Sequence, residues 1–562
     1  MDFRPRLSAL AACSLAVALA RAQATSVTVG DPSNPTKLGQ ALQEAYASGS
    51  RDLRIQPGVY QMVKTDQDDI LLEGWKEATI HAEGVTILAD EQPGAIFHLD
   101  HCDHVALEGP VLENLEVTSY QGKVSNAGID PNGGFACDWQ PDAGYPMVPA
   151  GTTALWVNVV DAHTRLLKLG TGDFYNVKWQ SLGNGSFHLT NFGKAPHIVN
   201  GDWLVARRDV PIALKVHLDN STHCTVKNVT MFYNGFAPIF ETGGSGNHIL
   251  GCCWLPGPRP AGAMEDPLVT NAADGFHSVG TKVGPDIENC LMKGVFLDDC
   301  FAIHGEFSDV VSTNGAEVVV KGNASWTVGQ PIVVCDQKGH FQEAKLTAVA
   351  PTGPQIFTVT TAPTLTIGPS SKAYNPEACG AGYKIIACRL GDTRSRGILA
   401  KANDGLIERN LIERCGMSAV SLGPEYYWGE GGYVSRVLVD RNLFDQNGTA
   451  GYGGATVLVH GEGAPGNRFI TIRANLFKSS YQGDIDLEWT QHALISRNAF
   501  FGSTAWPAFM IRQPTIQVTN SAFISLNRNE VRNVAGYKQP ILAVGPNASI
   551  EANDDGLIPL GK

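Results

Sequence analysis

Residues 468–477 read RFITIRANLF, and the same cadence returns in YVSRVLVDRNLF at 433–444. In each, apolar and polar residues alternate over a short strand before an asparagine and an apolar pair. Period-two alternation sends every second side chain to one face. The asparagine recurs at Asn228 (NVTMF), Asn289 (NCLM), Asn410 (NLIE), Asn442 (NLFD), Asn475 (NLFK), Asn498 (NAFF) and Asn520 (NSAF), the last five separated by 32, 33, 23 and 22 residues. Periods of this length belong to stacked coils. The expected fold is therefore all-β: a right-handed parallel β-helix of the pectin-lyase type, with asparagines stacked at one turn. An antiparallel sandwich with incidental asparagines is the competing reading, and the 61 glycines do not separate the two.

A coil of this kind exposes a sheet edge at its N-terminal end, which needs a cover. NPTKLGQALQEAYASG supplies one, since Leu38, Ala41, Leu42, Ala45 and Tyr46 share a helical face behind Asn34 and Pro35 and ahead of Gly49. Two stretches break the repeat and read as compact antiparallel strands. The expected division is a signal peptide over 1–24, the cap and first coils over 25–149, and a small β insertion over 150–208. Coils carrying the candidate catalytic aspartates follow over 209–307, then a small β-barrel insertion over 308–386 and C-terminal coils over 387–562.

The first 24 residues carry Arg4 and Arg6, an apolar run from Leu7 to Leu19, then Ala20, Ala22 and Ala24, the layout of a secretory signal. Six sequons at Asn184, Asn220, Asn228, Asn323, Asn447 and Asn547 agree with secretion and glycosylation. Of twelve cysteines, eleven remain beyond the signal, and in an oxidising compartment most should pair. Cys252 with Cys253, and Cys379 with Cys388, are the expected disulfide participants. No CxxC or His-rich spacing suggests a metal cluster. The net charge of −13 becomes −15 once the signal's three arginines and one aspartate are removed, which disfavours nucleic acid, an anionic membrane or a polyanionic glycan as partner. A neutral oligosaccharide or polysaccharide fits better.

The chemistry-bearing stretch is NAADGFHSVGTKVGPDIENCLMKGVFLDDCFAIHGEF. Asp274 lies 24 residues before Asp298, about one coil, so it should sit next to Asp298 and Asp299 at roughly one strand spacing, ~4.8 Å. Clustered carboxylates repel, and the repulsion raises at least one pKa, giving a proton donor beside ionised neighbours. Glycoside hydrolysis needs that division of labour. Exposed turn aspartates or a calcium site are the plainer readings. Strand alternation would point Asp298 and Asp299 to opposite faces, so both reach one groove only at a bend or bulge. Tyr426, Tyr427 and Trp428 offer a stacking platform for a sugar. Arg396 and Lys401 could serve a lyase on a uronate or simply turn a corner, and His460 to Glu462 and Asp484 to Glu488 fall on later coils where the far end of a groove would lie.

ADGFHS, IENCLMKGVFLDDCFAIHG and RSRGILAKANDGLIERNLIERCGMSAVSLGPEYYWGEGGYVSRVLVDRNLF together resemble glycoside hydrolase family 110, the parallel β-helix α-1,3-galactosidases. The order of elements matches from about 200 to 480, and the Asp plus Asp-Asp layout is also similar to polygalacturonases. The resemblance implies an inverting, exo-acting hydrolase releasing terminal galactose without a redox or metal cofactor. Asp298 would be the general acid, Asp274 and Asp299 would orient water, and His304, Arg396, Glu425, Trp428 and Glu430 would contact substrate by matching position; His277 and Lys401 are further substrate-binding candidates. The wording around the aspartates and in GPEYYWGEGGY departs from the family's, which bears most on the sugar. A uronate hydrolase or lyase, and a non-catalytic glycan-binding or cell-wall β-helix, are the alternatives.

Overall fold

The structure, a computed structural model, describes residues 26–553 except 63–67, 91–92, 150–151, 153–154, 184, 194–196, 209–212, 367, 453, 503–512 and 533–540. The signal-like segment and Asn184 lie outside the described residues. Three long sheets of parallel strands, with 14, 13 and 12 members, run the length of the chain and are visited in rotation, as a parallel β-helix requires. Inward positions form one continuous apolar core from Leu38 to Leu542. Helix Leu38–Ala47 closes the N-terminal end by burying Leu38, Leu42 and Ala45, and Tyr46 stacks on Trp75 at 4.0 Å.

The asparagines form a ladder, though not with the expected membership. Asn410, Asn442, Asn475, Asn498 and Asn529 occupy one corner, each side-chain oxygen accepting the backbone N–H of the coil below. Their amides donate to carbonyls of Ile385, Ile407, Val439, Ile472 and Ile495. Asn228 and Asn289 fall one residue earlier, in the left-handed conformation at φ 54° and 56° that asparagine tolerates. Asn520 turns a different corner, at φ 50°. Below Asn410 the ladder position is held by cysteine. Cys252, Cys290 and Cys388 direct Sγ at the carbonyls of Val226, Ile249 and Ile287 at 3.4, 3.5 and 3.8 Å, the vertical counterparts of Ile385. All eleven described cysteines are free, so the expected disulfides do not form. Cys388 belongs to this ladder while Cys379 packs against Gly305, and Cys252 is buried where its neighbour Cys253 is half-buried.

Two closed six-stranded barrels interrupt the coil, one from Ser119 to Arg207 and one from Ser308 to Tyr374. The first begins well before residue 150, because Ser119–Ile129 and Phe135–Pro141 read as coil strands yet pair antiparallel. The second ends earlier than 386, since Lys384–Ile386 joins a parallel sheet. The Asn447 sequon is buried, its side chain bonded to Cys415 N–H and Ile412 O, which leaves no room for a glycan.

Candidate active site

A cleft of about 460 Å³ opens beside the N-terminal corner of the 13-stranded sheet, and Asp274, Asp298 and Asp299 all line it. Leu297–Cys300 is a bend rather than strand, which lets adjacent aspartates face one space. Phe276 pairs with Phe301, so Asp274 lies directly beneath Asp299 and diagonally from Asp298. One coil higher, Phe301 pairs with Ile398, and Arg396 caps the column. One oxygen of each aspartate lies within 4.8 Å of the others. Gly275 is required here: a Cβ would come within 2.6 Å of the Cys300 carbonyl oxygen.

Hydrogen bonds give the three carboxyls different characters. Asp299, with a 5% exposed side chain, accepts the Arg396 backbone N–H at 2.7 Å and its guanidinium at 3.4 Å. Asp274 accepts the Asp299 N–H at 3.1 Å and meets His277 Nδ1 at 2.7 Å. Asp298 is held by Arg394 at 3.0 Å but keeps 29% of its side chain open to the cleft. The surrounding protein and the charges of Asp274 and Asp299 outweigh Arg394 and Arg396 and push its pKa up to about 8. Asp298 is therefore the protonated member at neutral pH.

Behind the trio runs a proton-bearing chain. His304 Nδ1 donates to Gly305 O at 2.7 Å, so its Nε2 accepts from His277 Nε2 at 2.9 Å. One proton is then shared between His277 Nδ1 and Asp274. Burial opposes a charge on His277, but Asp274, Glu430 and Asp299 outweigh it and raise its pKa, whereas burial and the neighbouring His277 lower His304 to about 3.

Of the expected substrate contacts, Arg396, Trp428 and Glu430 line the cleft. His277 stands behind Asp274, and His304 is buried, as is Lys401, whose Nζ reaches Gly423 O at 3.2 Å, Glu430 at 3.5 Å and Glu425 at 3.7 Å. Glu425 is tied to Arg396. None of these four is among the residues that line the cleft. Trp428 is exposed on the rim, Tyr427 is exposed outside the cleft lining, and Tyr426 is core, bonded to Tyr433. His460 bonds Glu488 at 2.6 Å farther along the same sheet face.

Sequence reasoning missed Arg394, Trp156, Asp173, Tyr175, Met417 and Tyr452, all cleft liners. Arg394 was visible as the first arginine of RSRG. Trp156, Asp173 and Tyr175 arrive from the first barrel, and no local pattern announces that. Asp173 bonds Arg394 at 2.7 Å, Trp156 stacks on Tyr175 at 5.0 Å, and Arg394 lies 4.5 Å over the Trp156 ring.

No family model matches this chain, and no curated protein does. Solved structures of similar winding include a GH87 α-1,3-glucanase catalytic domain in complex with nigerose (10% identity, 94% of this chain and 68% of that one, TM-score 0.46). Others are the surface adhesin PfbA of Streptococcus pneumoniae (11%, 96% and 95%, TM-score 0.43) and a Yersinia enterocolitica family 28 exopolygalacturonase (10%, 94% and 78%, TM-score 0.43). None is similar enough to transfer a substrate or a residue role.

Proposed function

We propose that the cleft hydrolyses glycosidic bonds, with Asp298 protonating the leaving oxygen and Asp274 and Asp299 as the carboxylates opposed to it. The observation that carries this reading is three carboxyls lining one open cleft with an oxygen of each within 4.8 Å of the others, where burial and the neighbouring carboxylates raise the pKa of Asp298. Aromatic surfaces at Trp156, Tyr175, Trp428 and Tyr452 suit the C–H face of a sugar ring. The Trp156 Nε1 has no hydrogen-bond partner among the described residues, a donor for a sugar hydroxyl, and the Glu430 carboxylate, paired with Lys401 at 3.5 Å, lines the same cleft as an acceptor.

The substrate we propose is a neutral glycoside, with a terminal α-galactoside the form the family 110 resemblance implies. Arg394 is engaged by Asp173 and Asp298, Arg396 by Asp299 and Glu425, and Lys401 is buried among carboxylates. A uronate would have to displace these partners, which weighs against the pectin-type alternative. A lyase would need one of these cations as a base.

The resemblance implies inversion, for which acid and base stand roughly 6.5–9.5 Å apart; nearest oxygens within 4.8 Å match the closer spacing of retaining pairs. Wild type and Asp298→Asn, screened on aryl α- and β-glycosides and oligosaccharides with NMR of the first-formed anomer, decide both points. Sugar release that disappears in the variant supports hydrolysis. Inversion assigns Asp274 and Asp299 to a water, and retention makes one of them the nucleophile. Oligosaccharide binding without cleavage would leave a glycan-binding protein.

A further inference from the structure

The outer face of the 13-stranded sheet carries a second polar cluster below the aspartates. Strand Ala213–Asp219 presents His217 and Asp219 outward, two residues apart and therefore on one face. Register places His98, on strand Gly94–Asp100, beside His217, with ring centroids 4.6 Å apart and planes inclined by 21°. The same column continues through Phe240 to His277 on the coil of Asp274, so the cluster lies two strand steps (His217) to three (His98) from the catalytic trio, on the order of 10–14 Å.

The two faces of His98 differ. Its Nδ1 pairs with Asp68 Oδ2 at 2.6 Å, while its Nε2 is buried, lacks a hydrogen-bond partner among the described residues and faces Asp219 Oδ2 at 3.9 Å. His217 Nε2 lies 3.1 Å from the Thr242 hydroxyl, which donates to Asp219 Oδ1 at 2.7 Å. One ligand atom from each of His98, His217 and Asp219 falls within 4.8 Å of the others.

We propose that His98, His217 and Asp219 bind a divalent transition-metal ion of the zinc class. Two imidazoles and one carboxylate suit zinc, where calcium or magnesium would call for oxygen ligands throughout. Asp68 is the outer carboxylate that sets a ligating histidine's tautomer, leaving Nε2 for the metal. Donors now within 4.8 Å close to about 3.3 Å around an ion with bonds of roughly 2.0–2.1 Å, a movement that ring rotation on an outer face supplies. His98 and His217 are neighbours in space but bracket the whole first barrel in sequence, so spacing alone hides the site. An ion there clips the two coils from which the barrel springs.

The rival arrangement needs no metal: His98 stays protonated between Asp68 and Asp219, its hydrogen bond to Asp68 the main cause of a raised pKa. The full chain, stripped with a chelator, equilibrated with ZnCl2 and desalted, separates the two. We expect one retained zinc per chain at this site by elemental analysis, with a higher Tm in zinc than in calcium. His217→Gln and Asp219→Asn should lose the zinc and the Tm rise while keeping the wild-type circular dichroism spectrum, and Asp68→Asn should weaken zinc binding by roughly 10–100-fold. The double variant Asp274→Asn, Asp299→Asn should retain zinc, which separates this site from the catalytic cluster. Absence of zinc at ten-micromolar metal (about ten times the chain), or uptake unchanged in both His217→Gln and Asp219→Asn, overturns the proposal.

Discussion

At the scale of the residue, Asp298 holds a proton that an isolated aspartate would have released. Its pKa lies near 8 in the folded chain and near 3.9 in an unfolded one, so the proton is retained only by the native state between those values. Activity should therefore fall as pH rises through about 8, read from kcat/KM profiles. The same retention means that this group's contribution to stability declines as pH rises from about 4 to 8. Asp298→Asn should lower kcat by roughly 10²–10⁴-fold on substrates with poor leaving groups and much less on dinitrophenyl glycosides, which need little protonation. Its Tm relative to wild type should climb across that pH window, since asparagine is neutral throughout. An unchanged kcat would remove Asp298 from the acid's role.

At the scale of the element, the corner ladder holds the coils in register. Asn442 accepts two hydrogen bonds from Asn410, at 2.9 and 3.0 Å, and donates to Ile407 O at 2.9 Å and Asn475 Oδ1 at 3.0 Å, all in a buried corner. Asn442→Ala leaves the Asn410 backbone N–H unpaired there, at about 1–3 kcal/mol for that group and more with the others, which denaturant melts would register. Cysteines continue the ladder through a weaker donor. Without reducing agent, the ten buried described thiols should resist Ellman's reagent in the native protein while half-buried Cys253 reacts, and all eleven should react after denaturation. Recovery of nine or fewer would mean that at least one pair is bridged. The ladder was visible in the sequence as a repeat, but its membership was not, because Asn228 and Asn289 share the pattern of an asparagine before apolar residues while standing at the left-handed position one residue earlier. Only the register of neighbouring strands separates a turn asparagine from a ladder asparagine.

At the scale of the whole molecule, the cleft is made by the coil and closed by an insertion. Asp274, Asp298, Asp299 and Arg396 are stacked by parallel register, and the first barrel leans Trp156, Asp173 and Tyr175 over them. Trp156→Ala should raise KM about tenfold with little change in kcat, since the ring offers binding surface and one donor but no proton transfer. An equal loss in kcat would mean that the ring also orients Asp298 through Arg394, which packs on it at 4.5 Å.

The linear chain by itself determined the strand period, the coil repeat, the N-terminal cap and the three aspartates, because alternation and one-coil spacing are local quantities that survive projection onto a string. Tertiary structure decided what those residues experience. Burial and like charge made Asp298 the proton holder, whereas His304 and Lys401, equally suggestive as letters, were folded away from the cleft. The barrel's contribution, the pairing of His98 with His217 and the failure of the expected disulfides share one physical reason. Each depends on which coil lies above which, and insertions of unequal length between coils remove that from any fixed spacing.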